Sequence, residues 1–316
     1  MNNVIKIAGS FEAVLAVVLS IATAASLFAR YHWIFDTVAN FRVQGLIAVM
    51  VLGGLALLLR DWWTFALAAA LMLANLSMIN FGSMDHAASA TGCRPLRIVT
   101  TNVLTSNERH DDIIDELRLL DADVIVVIEL STKLAARLRE SFQDSHPYQT
   151  IHEQDIGNFG IGILSRLPLR SARALPLAGC PLSLEVTVDD CCIIATHPVP
   201  PVGDIHFDNR NRQLKKLAAY VRPELGRPRR TVVVGDLNLT PWNANFTDLL
   251  RSAGLRRAAP RWDFRPTWYA RPAFPLGLRI DHVLISDDLV CTGFQIGSDC
   301  GSDHRSVCVT LHSRAR

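Results

Sequence analysis

A large excess of charge of either sign is missing from this chain. Lys and Arg number 32 against 30 Asp and Glu, for a net charge of +2. No basic tail or stripe announces a nucleic-acid partner, because such partners are met with clustered cations. No C-x-x-C pair occurs among the seven cysteines, so the spacing of a structural zinc site is absent. Cys192 and Cys308 fall in strand-like alternations and read as core residues. Internal repeats and low-complexity tracts are absent too, which argues against a solenoid or a disordered chain.

What the chain has in excess is apolar sequence. Apolar residues make up 49% and mean hydropathy is +0.21. The excess is concentrated in residues 1–81. Ala13 to Ala29, Val43 to Leu59 and Trp62 to Phe81 are uncharged runs. Each matches the ~17–25 residues a helix needs to cross a bilayer. Tyr31, Trp33, Trp62 and Trp63 stand at run ends, where membrane interfaces favour aromatics. Two alternatives are a set of buried core helices and a cleaved signal peptide at Ala22-Thr23-Ala24. Three successive runs are hard to bury in so short a chain, and cleavage after the first would leave two more. The reading is a three-helix transmembrane anchor (1–81), a linker (82–95) and a catalytic domain (96–316). Three spans place the termini on opposite sides. Lys6 and Arg60 lie at one face and Arg30, Arg42, Arg94 and Arg97 at the other, a small bias toward a cytoplasmic domain.

From Leu96 onward the pattern becomes mixed strands and helices. Strands are expected at Leu96 to Thr101, Val124 to Ile128, Phe159 to Leu164, Leu175 onward, Leu182 to Val188 and Cys191 to Thr196. Others are expected at Thr231 to Val234, Arg279 to Ile285 and Ser306 to Leu311. Helices are expected at Arg109 to Leu120, Leu134 to Phe142, Asn209 to Val221 and Asn245 to Ala253. Such a mixture argues for a two-sheet core covered by helices.

Polar residues gather where strands meet turns. LRIVTT runs into Asn102, VIVVI into Glu129, CIIAT into His197, and TVVVG into Asp236 with Asn238 beyond. In one late strand RI is followed at once by Asp281-His282 and then VLIS, and Ser302-Asp303-His304 precedes the last. On one rim of a sheet pair these groups would share a cleft. Asn102, Glu129 and Asp303 are hard oxygen donors, suited to Mg²⁺ or Mn²⁺ rather than zinc. His197 and His304 can offset charge that builds on a phosphoryl group. Asp236 is the candidate to orient or deprotonate water, and Asn238 can hold a phosphate oxygen. Asp281, beside a histidine, fits a carboxylate–histidine pair. Each has an ordinary alternative: Asn102 as a strand-end cap, Glu129 as a helix cap, the Gly235 to Asn238 stretch as a turn, His197 and His304 as loop residues. Six such clusters by coincidence is the harder case.

The series Thr101-Asn102, Glu129, Thr196-His197, Gly235-Asp236-Leu237-Asn238, Ile280-Asp281-His282-Val283 and Ser302-Asp303-His304 resembles the endonuclease/exonuclease/phosphatase superfamily, a DNase I-like group. The resemblance covers nearly all of Leu96 to Leu311. It implies a four-layer α/β sandwich with its site at one edge of two packed sheets. It implies that Asn102, Glu129 and Asp303 surround the metal and that Asp236 activates water. It implies further that Asn238 contacts phosphate, and that His197, Asp281 and His304 stabilise the transition state. Phe159 to Leu167 resembles the family's hairpin strand ending in Leu-Ser-Arg, and Thr240-Pro241-Trp242 a stretch that often follows the GDLN motif. Two departures are Ile128, where many relatives carry Gln, and Ile161-Gly162-Ile163, where many nucleases carry Asn.

Substrate contacts are expected from Arg166, Arg210, Arg212 and Trp268, with Arg210 and Arg212 at a helix start that would favour anions. Their alternatives are a solvated helix start and loop packing, and Arg227 to Arg230 reads as a solvated turn. The function expected is a membrane-anchored, Mg²⁺-dependent hydrolase of a lipid-linked or small phosphoester. The alternatives are a membrane-tethered nuclease and a non-catalytic binding module. Expected partners are the lipid bilayer and the phosphoester, with no obligate protein partner implied. Some three-span members look like enzymes of lipid-carrier phosphate chemistry linked to glycopeptide resistance. Those act outside the cytoplasmic membrane, which turns the expected location to a multi-pass membrane protein with an extracytoplasmic catalytic domain.

Overall fold

The computed structural model describes residues 2–79, 94–177, 181–222, 230–270 and 276–314. Cys93, Cys180, nearly all of the expected linker and residues 227–229 of the arginine-rich turn lie outside the described residues. The chain forms two compact units.

The first unit joins residues 1–80 with two short segments, Pro201–Phe207 and Thr240–Thr247. Its helices are α1 (Asn2–Leu27), α2 (Trp33–Asn40), α3 (Arg42–Leu59) and α4 (Trp62–Ser77). Ala16, Leu19, Val49, Leu52, Ala68 and Leu71 form a small shared core. Val14, Val17, Val18, Ile21, Ile47, Met50, Val51, Leu57, Leu58 and Leu73 stay exposed. Helices apolar all round, with so much exposed aliphatic surface, suit a hydrocarbon solvent. Polar groups act as glue between them: Arg42 Nη1 donates to Asn75 Oδ1 (3.1 Å), and Asn75 Nδ2 donates to Thr23 Oγ1 (3.0 Å).

Among the described residues, only α1, over Lys6–Leu27, and α3 are long and apolar enough to cross a membrane by themselves. The third run, expected to span to Phe81, is a shorter helix. Asp61 opens it by accepting from the amides of Trp63 and Thr64, and it closes at Ser77. At a 1.5 Å rise, 16 residues reach about 24 Å, short of the ~30 Å hydrocarbon core. The short α2 was not anticipated. His32 Nδ1 caps it by accepting from Ile34 N.

The second unit holds two six-stranded sheets. The first has β13 (Leu289–Ile296), β14 (Val307–Ser313), β1 (Leu96–Asn102), β2 (Val124–Ile128), β4 (Ile161–Ser165) and β3 (Tyr148–His152), in that spatial order. The second has β5 (Leu169–Leu175), β6 (Ser183–Val188), β7 (Cys191–Ala195), β8 (Arg230–Asp236), β12 (Asp281–Ser286) and β9 (Leu255–Arg257). A separate pair is β10 (Trp268–Tyr269) with β11 (Gly277–Leu278). The run Val124 to Ile128 shows why the sheets stack. Val124, Val126 and Ile128 enter the core between the sheets, with Ile98, Ile163, Val186, Ile193, Val232, Val234 and Val283. Ile125 and Val127 face the other way, onto α5 (His110–Leu120) and α6 (Thr132–Phe142) through Ile113, Leu117, Leu134 and Leu138. A strand covered on both faces is apolar at every position.

Helix α7 (Asp204–Val221) covers the second sheet, where Tyr220 donates to Glu185 of β6 and Gln213 to Thr196 after β7. The described order is therefore helices, sheet, sheet, helix, a four-layer α/β sandwich. The helix α8 (Ala244–Ala253) follows β8. Three expectations need correction. The strand expected from Leu175 onward instead ends there: β5 is a mostly exposed edge strand without apolar alternation. β3, β9 and β13 were missed for similar lack of pattern. α7 begins five residues before Asn209, because Asp204 follows Gly203 at φ 83° and opens the first turn. Cys191, Cys192, Cys291, Cys300 and Cys308 are buried.

Candidate active site

Parallel pairing of β1 with β2 puts Asn102 beside Ile128, one residue before Glu129. Parallel pairing of β7 with β8 sets Ala195 beside Val234, and antiparallel β12 sets Asp281 opposite Asp236. Backbone conformation then turns the side chains inward. Gly235 sits at φ 138°, and a Cβ there would meet Thr196 O at 2.1 Å, so glycine alone lets Asp236 and His197 come together. Glu129 (φ 60°) and Asn238 (φ 51°) hold left-handed conformations that ordinary residues avoid, and such strain concentrates at functional sites.

Asp236 is the hub. Its Oδ1 accepts from Asn238 N (2.8 Å). Its Oδ2 accepts from Asn102 Nδ2 (3.3 Å) and lies 3.6 Å from His197 Nε2 and 3.7 Å from His304 Nε2. Asn102 Nδ2 also donates to Glu129 Oε1 (2.9 Å). Asp281 Oδ2 lies 2.9 Å from His304 Nδ1. Trp268 Nε1 donates to Asp303 Oδ2 (2.9 Å). Asn238 Nδ2 donates to Pro198 O (2.9 Å). All of the expected metal and catalytic residues thus fall in one hydrogen-bonded or closely charged group.

Electrostatics divide the roles. Burial raises Asp236 to about 7, and Asp281 adds to it. Burial also raises Glu129, with Asp303 adding a smaller push. For His304 burial disfavours the charged ring, but Asp281, Asp236 and Asp303 outweigh it and lift the group to about 10. His304 is therefore an imidazolium at neutral pH. Burial, then His304, pushes His197 down to about 3. Held down in this way, His197 is neutral and offers a hydrogen bond rather than a charge. The pairing of Asp281 is corrected. Its neighbour His282 turns away to Leu239 O (2.8 Å), and the partner is His304.

His304 also gives a pH prediction. Its pKa is raised above the ~6.5 of a free imidazole, so its stabilisation is fully present below that value and is lost as pH rises through about 10. The thermal midpoint of metal-free protein should fall between pH 7 and 10 by several degrees, since ~1 kcal/mol moves a domain this size by roughly 2–4 °C. Asp281→Asn should flatten that fall. An unchanged slope in the variant would show that the pair does not carry it.

A cation would fit here. Asp281 Oδ1 and Asp303 Oδ1 are buried without a hydrogen-bond partner, beside two carboxyls whose ionised forms are disfavoured. Ligand atoms of Asp236, Asp281 and His304 lie within 4.8 Å of one another. That set is the weaker candidate, because a protonated imidazole bound to a carboxylate cannot ligate. Glu129 and Asp303, with Asn102 alongside, form the oxygen set that suits a hard divalent ion.

The four expected substrate contacts separate. Arg210 is fully buried, and its Nη1 donates to Asn238 O (3.2 Å), so it braces the site from behind. Arg212 is exposed, since residues two apart point to different sides of a helix. Neither lies at the helix start that would favour anions, because α7 begins at Asp204. Arg166 pairs with Asp121 and donates its amide to Asp123 O, at the far end of β2 from Glu129. It is removed from the site: the Leu-Ser-Arg hairpin closes the opposite rim. Trp268 is half-buried and holds Asp303. Residues not foreseen are Thr105, which donates to Glu129 O (3.1 Å), and Thr267, whose Oγ1 accepts from Ile280 N and Asp281 N (3.1 Å each). Phe159, 5.5 Å from the His197 ring between centroids, is another. Thr267 was legible only as the neighbour of Trp268 and Phe159 only as the start of the hairpin-strand segment; Thr105 carried no signal.

Solved structures share this fold. An endonuclease/exonuclease/phosphatase from Beutenbergia cavernae is 21% identical at TM-score 0.57, covering 71% of this chain and 72% of its own. The 3′ phosphatase NExo from Neisseria, bound to a product DNA hairpin, is 21% identical at TM-score 0.55 (68% and 98%). Sphingomyelinase C from Streptomyces griseocarneus is 17% identical at TM-score 0.54 (69% and 99%). No curated protein matches the chain. The model of the endonuclease/exonuclease/phosphatase family matches residues 99–304, more than half of the sequence. With that match laid over the residues around Asp236, the chain belongs to the endonuclease/exonuclease/phosphatase family, whose members are phosphoester hydrolases.

Proposed function

We propose that this chain is a membrane-anchored, Mg²⁺-dependent hydrolase acting on a lipid-linked or small phosphoester. The observation that carries the reading is the buried group around Asp236, where four carboxyls meet one imidazolium and one neutral imidazole. Glu129 and Asp303 would hold the cation, with Asn102 beside them and Mn²⁺ as an alternative ion. A bound Mg²⁺ supplies positive charge to the phosphoryl oxygens. Asp236 takes the proton of the attacking water at Oδ2, and Asn238 N fixes its other oxygen. His304, held as a cation by Asp281, offsets charge that develops on the equatorial oxygens. His197 and the second amide hydrogen of Asn238 donate to the same group.

The apolar unit supports the anchor. Thr240–Thr247 is hydrogen-bonded to α2, so both stand on one face of a bilayer. α3 and α4 lie between them in sequence, and if α3 crosses, α4 has to cross back. That parity favours three spans even though α4 is short; it can be accommodated by local thinning. We place the catalytic domain outside the cytoplasm, following the three-span relatives. A reporter fused at the C-terminus that works only outside the cytoplasm should be active, and an inactive one would reverse the assignment.

Likeness to a Neisseria enzyme bound to DNA supports a second reading, a tethered nuclease. Near-neutral charge counts against it, because nuclease affinity rests on neutralising phosphates. A panel in detergent with Mg²⁺ separates the readings, using a polyprenyl diphosphate, bis-p-nitrophenyl phosphate and plasmid DNA. Turnover of the lipid without cutting of the plasmid is the expected result. Cutting of the plasmid alone would make the protein a nuclease, and silence on all three would make it a binding module.

A further inference from the structure

We infer that Asp36 and Asn40 of α2 are positioning residues for the catalytic turn Asp236–Asn238, acting through the Thr240–Asn245 segment that follows it in the chain. The inference rests on the hydrolase reading above. Thr240 follows Asn238 by two residues and belongs to the same compact unit as α2.

The contacts are numerous for so small a helix. Asn40 Oδ1 accepts from Thr240 N (3.0 Å), Thr240 Oγ1 (2.9 Å) and Asn243 Nδ2 (3.1 Å). The backbone carbonyl of Asn40 accepts from Trp242 Nε1 (2.8 Å). Asp36 Oδ1 accepts from Asn243 Nδ2 (3.0 Å) and Asn245 Nδ2 (2.8 Å). Ala29 O, ahead of α2, accepts from Asn245 Nδ2 as well (3.2 Å). Asp36, Thr240 and Asn243 are fully buried, and Asn40 and Trp242 nearly so. A buried polar network this dense favours one geometry, because breaking a member leaves its buried partners short of hydrogen bonds.

The geometry it specifies is that of the turn. Asn238 is held in a left-handed conformation at φ 51°, and its amide anchors Asp236 Oδ1. Such a conformation persists only where the surroundings over-determine it. Upstream, β8 fixes Asp236 through its ladder to β12. Downstream, Asn40 of α2 fixes Thr240, and Asp36 fixes Asn243 and Asn245. The turn is thus clamped at both ends, one end by a helix that stands between two membrane-spanning candidates. This gives a purpose to the buried polar residues of α2, which stand on an otherwise largely apolar helix.

Full-length protein in detergent tests the inference in two ways: steady-state hydrolysis, and hydrogen exchange of peptides covering residues 236–245. Asn40→Ala should lower kcat at least about tenfold with KM little changed, since small misplacement of a catalytic group is costly. Exchange should quicken across both Asp236–Asn238 and Thr240–Asn245. Thr240→Val, which removes one donor and leaves the fold less disturbed, should show a smaller loss. The double variant should be no worse than Asn40→Ala alone. Unchanged kcat in Asn40→Ala would overturn the inference. Faster exchange confined to Thr240–Asn245, with Asp236–Asn238 still protected, would overturn it equally. If wild type hydrolyses no phosphoester, the hydrolase reading fails by itself and the exchange measurement still decides whether α2 holds the turn.

Discussion

Asp236→Asn should lower kcat by about a thousandfold or more while raising the thermal midpoint of the metal-free protein. The activity loss follows from where Oδ2 sits, 3.6 Å from His197 Nε2 and 3.7 Å from His304 Nε2. An amide nitrogen there cannot accept a proton from water, and loss of a general base removes about 10²–10⁴ in rate. Loss of the charge that pairs with the His304 ring adds to it. The amide keeps an oxygen for the Asn238 N–H, so the turn itself should survive. The gain in stability follows from the same burial. Asp236 is raised to about 7 because its ionised form is disfavoured by burial and by Asp281. A neutral amide avoids both effects, a trade of function for stability seen at many active sites. Circular dichroism with temperature and turnover of bis-p-nitrophenyl phosphate measure the two sides. A loss under tenfold would give the base role to another group.

Removal of the divalent ion should abolish turnover, and Mg²⁺ or Mn²⁺ should restore it. Glu129→Gln should weaken Mg²⁺ binding more than about 100-fold, beyond the 10–100-fold typical of a residue that only supports a ligand. Glu129 is buried, and its ionised form is disfavoured by burial with a push from Asp303. A cation reverses that balance by screening both carboxylates. Binding should therefore stabilise the fold: at 100 times its Kd, Mg²⁺ adds about 2.7 kcal/mol. Calorimetry without substrate reads this directly. Wild type should show a Mg²⁺-dependent rise in midpoint and Glu129→Gln none at the same concentration. An equal rise in both would place the ion on other oxygens, with Asp236 and Asp281 the next set to test.

Much of this site was legible because strands announce themselves by burial. Val124 to Ile128 is apolar at every position, since it is covered by the second sheet and by α5 and α6, and Glu129 stood out at its end. Asn102, His197 and Asp236 were found in the same way. What sequence could not give was pairing through space. Asp281 was matched with His282 by adjacency, yet successive residues on a strand face opposite sides, and the partner lies 23 residues on at His304. Arg166 was carried in by its motif and placed at the wrong rim, because β4 runs antiparallel to β2 and ends beside Val124 rather than Ile128. Arg210 was noticed for its charge, but burial gave it a bracing role behind Asn238. α2 was invisible for a different reason. Its eight residues are too few for a period to register, and its buried face is polar, Asp36 and Asn40 pairing with a segment 200 residues away.

The measurement closest to the central claim is hydrolysis of bis-p-nitrophenyl phosphate by full-length protein in detergent, titrated with Mg²⁺ from an EDTA-treated start, with Asp236→Asn alongside. The account predicts no release without Mg²⁺, saturable release as it is added, and almost none from the variant at any concentration. Release that ignores Mg²⁺, or that proceeds equally in Asp236→Asn, would contradict it.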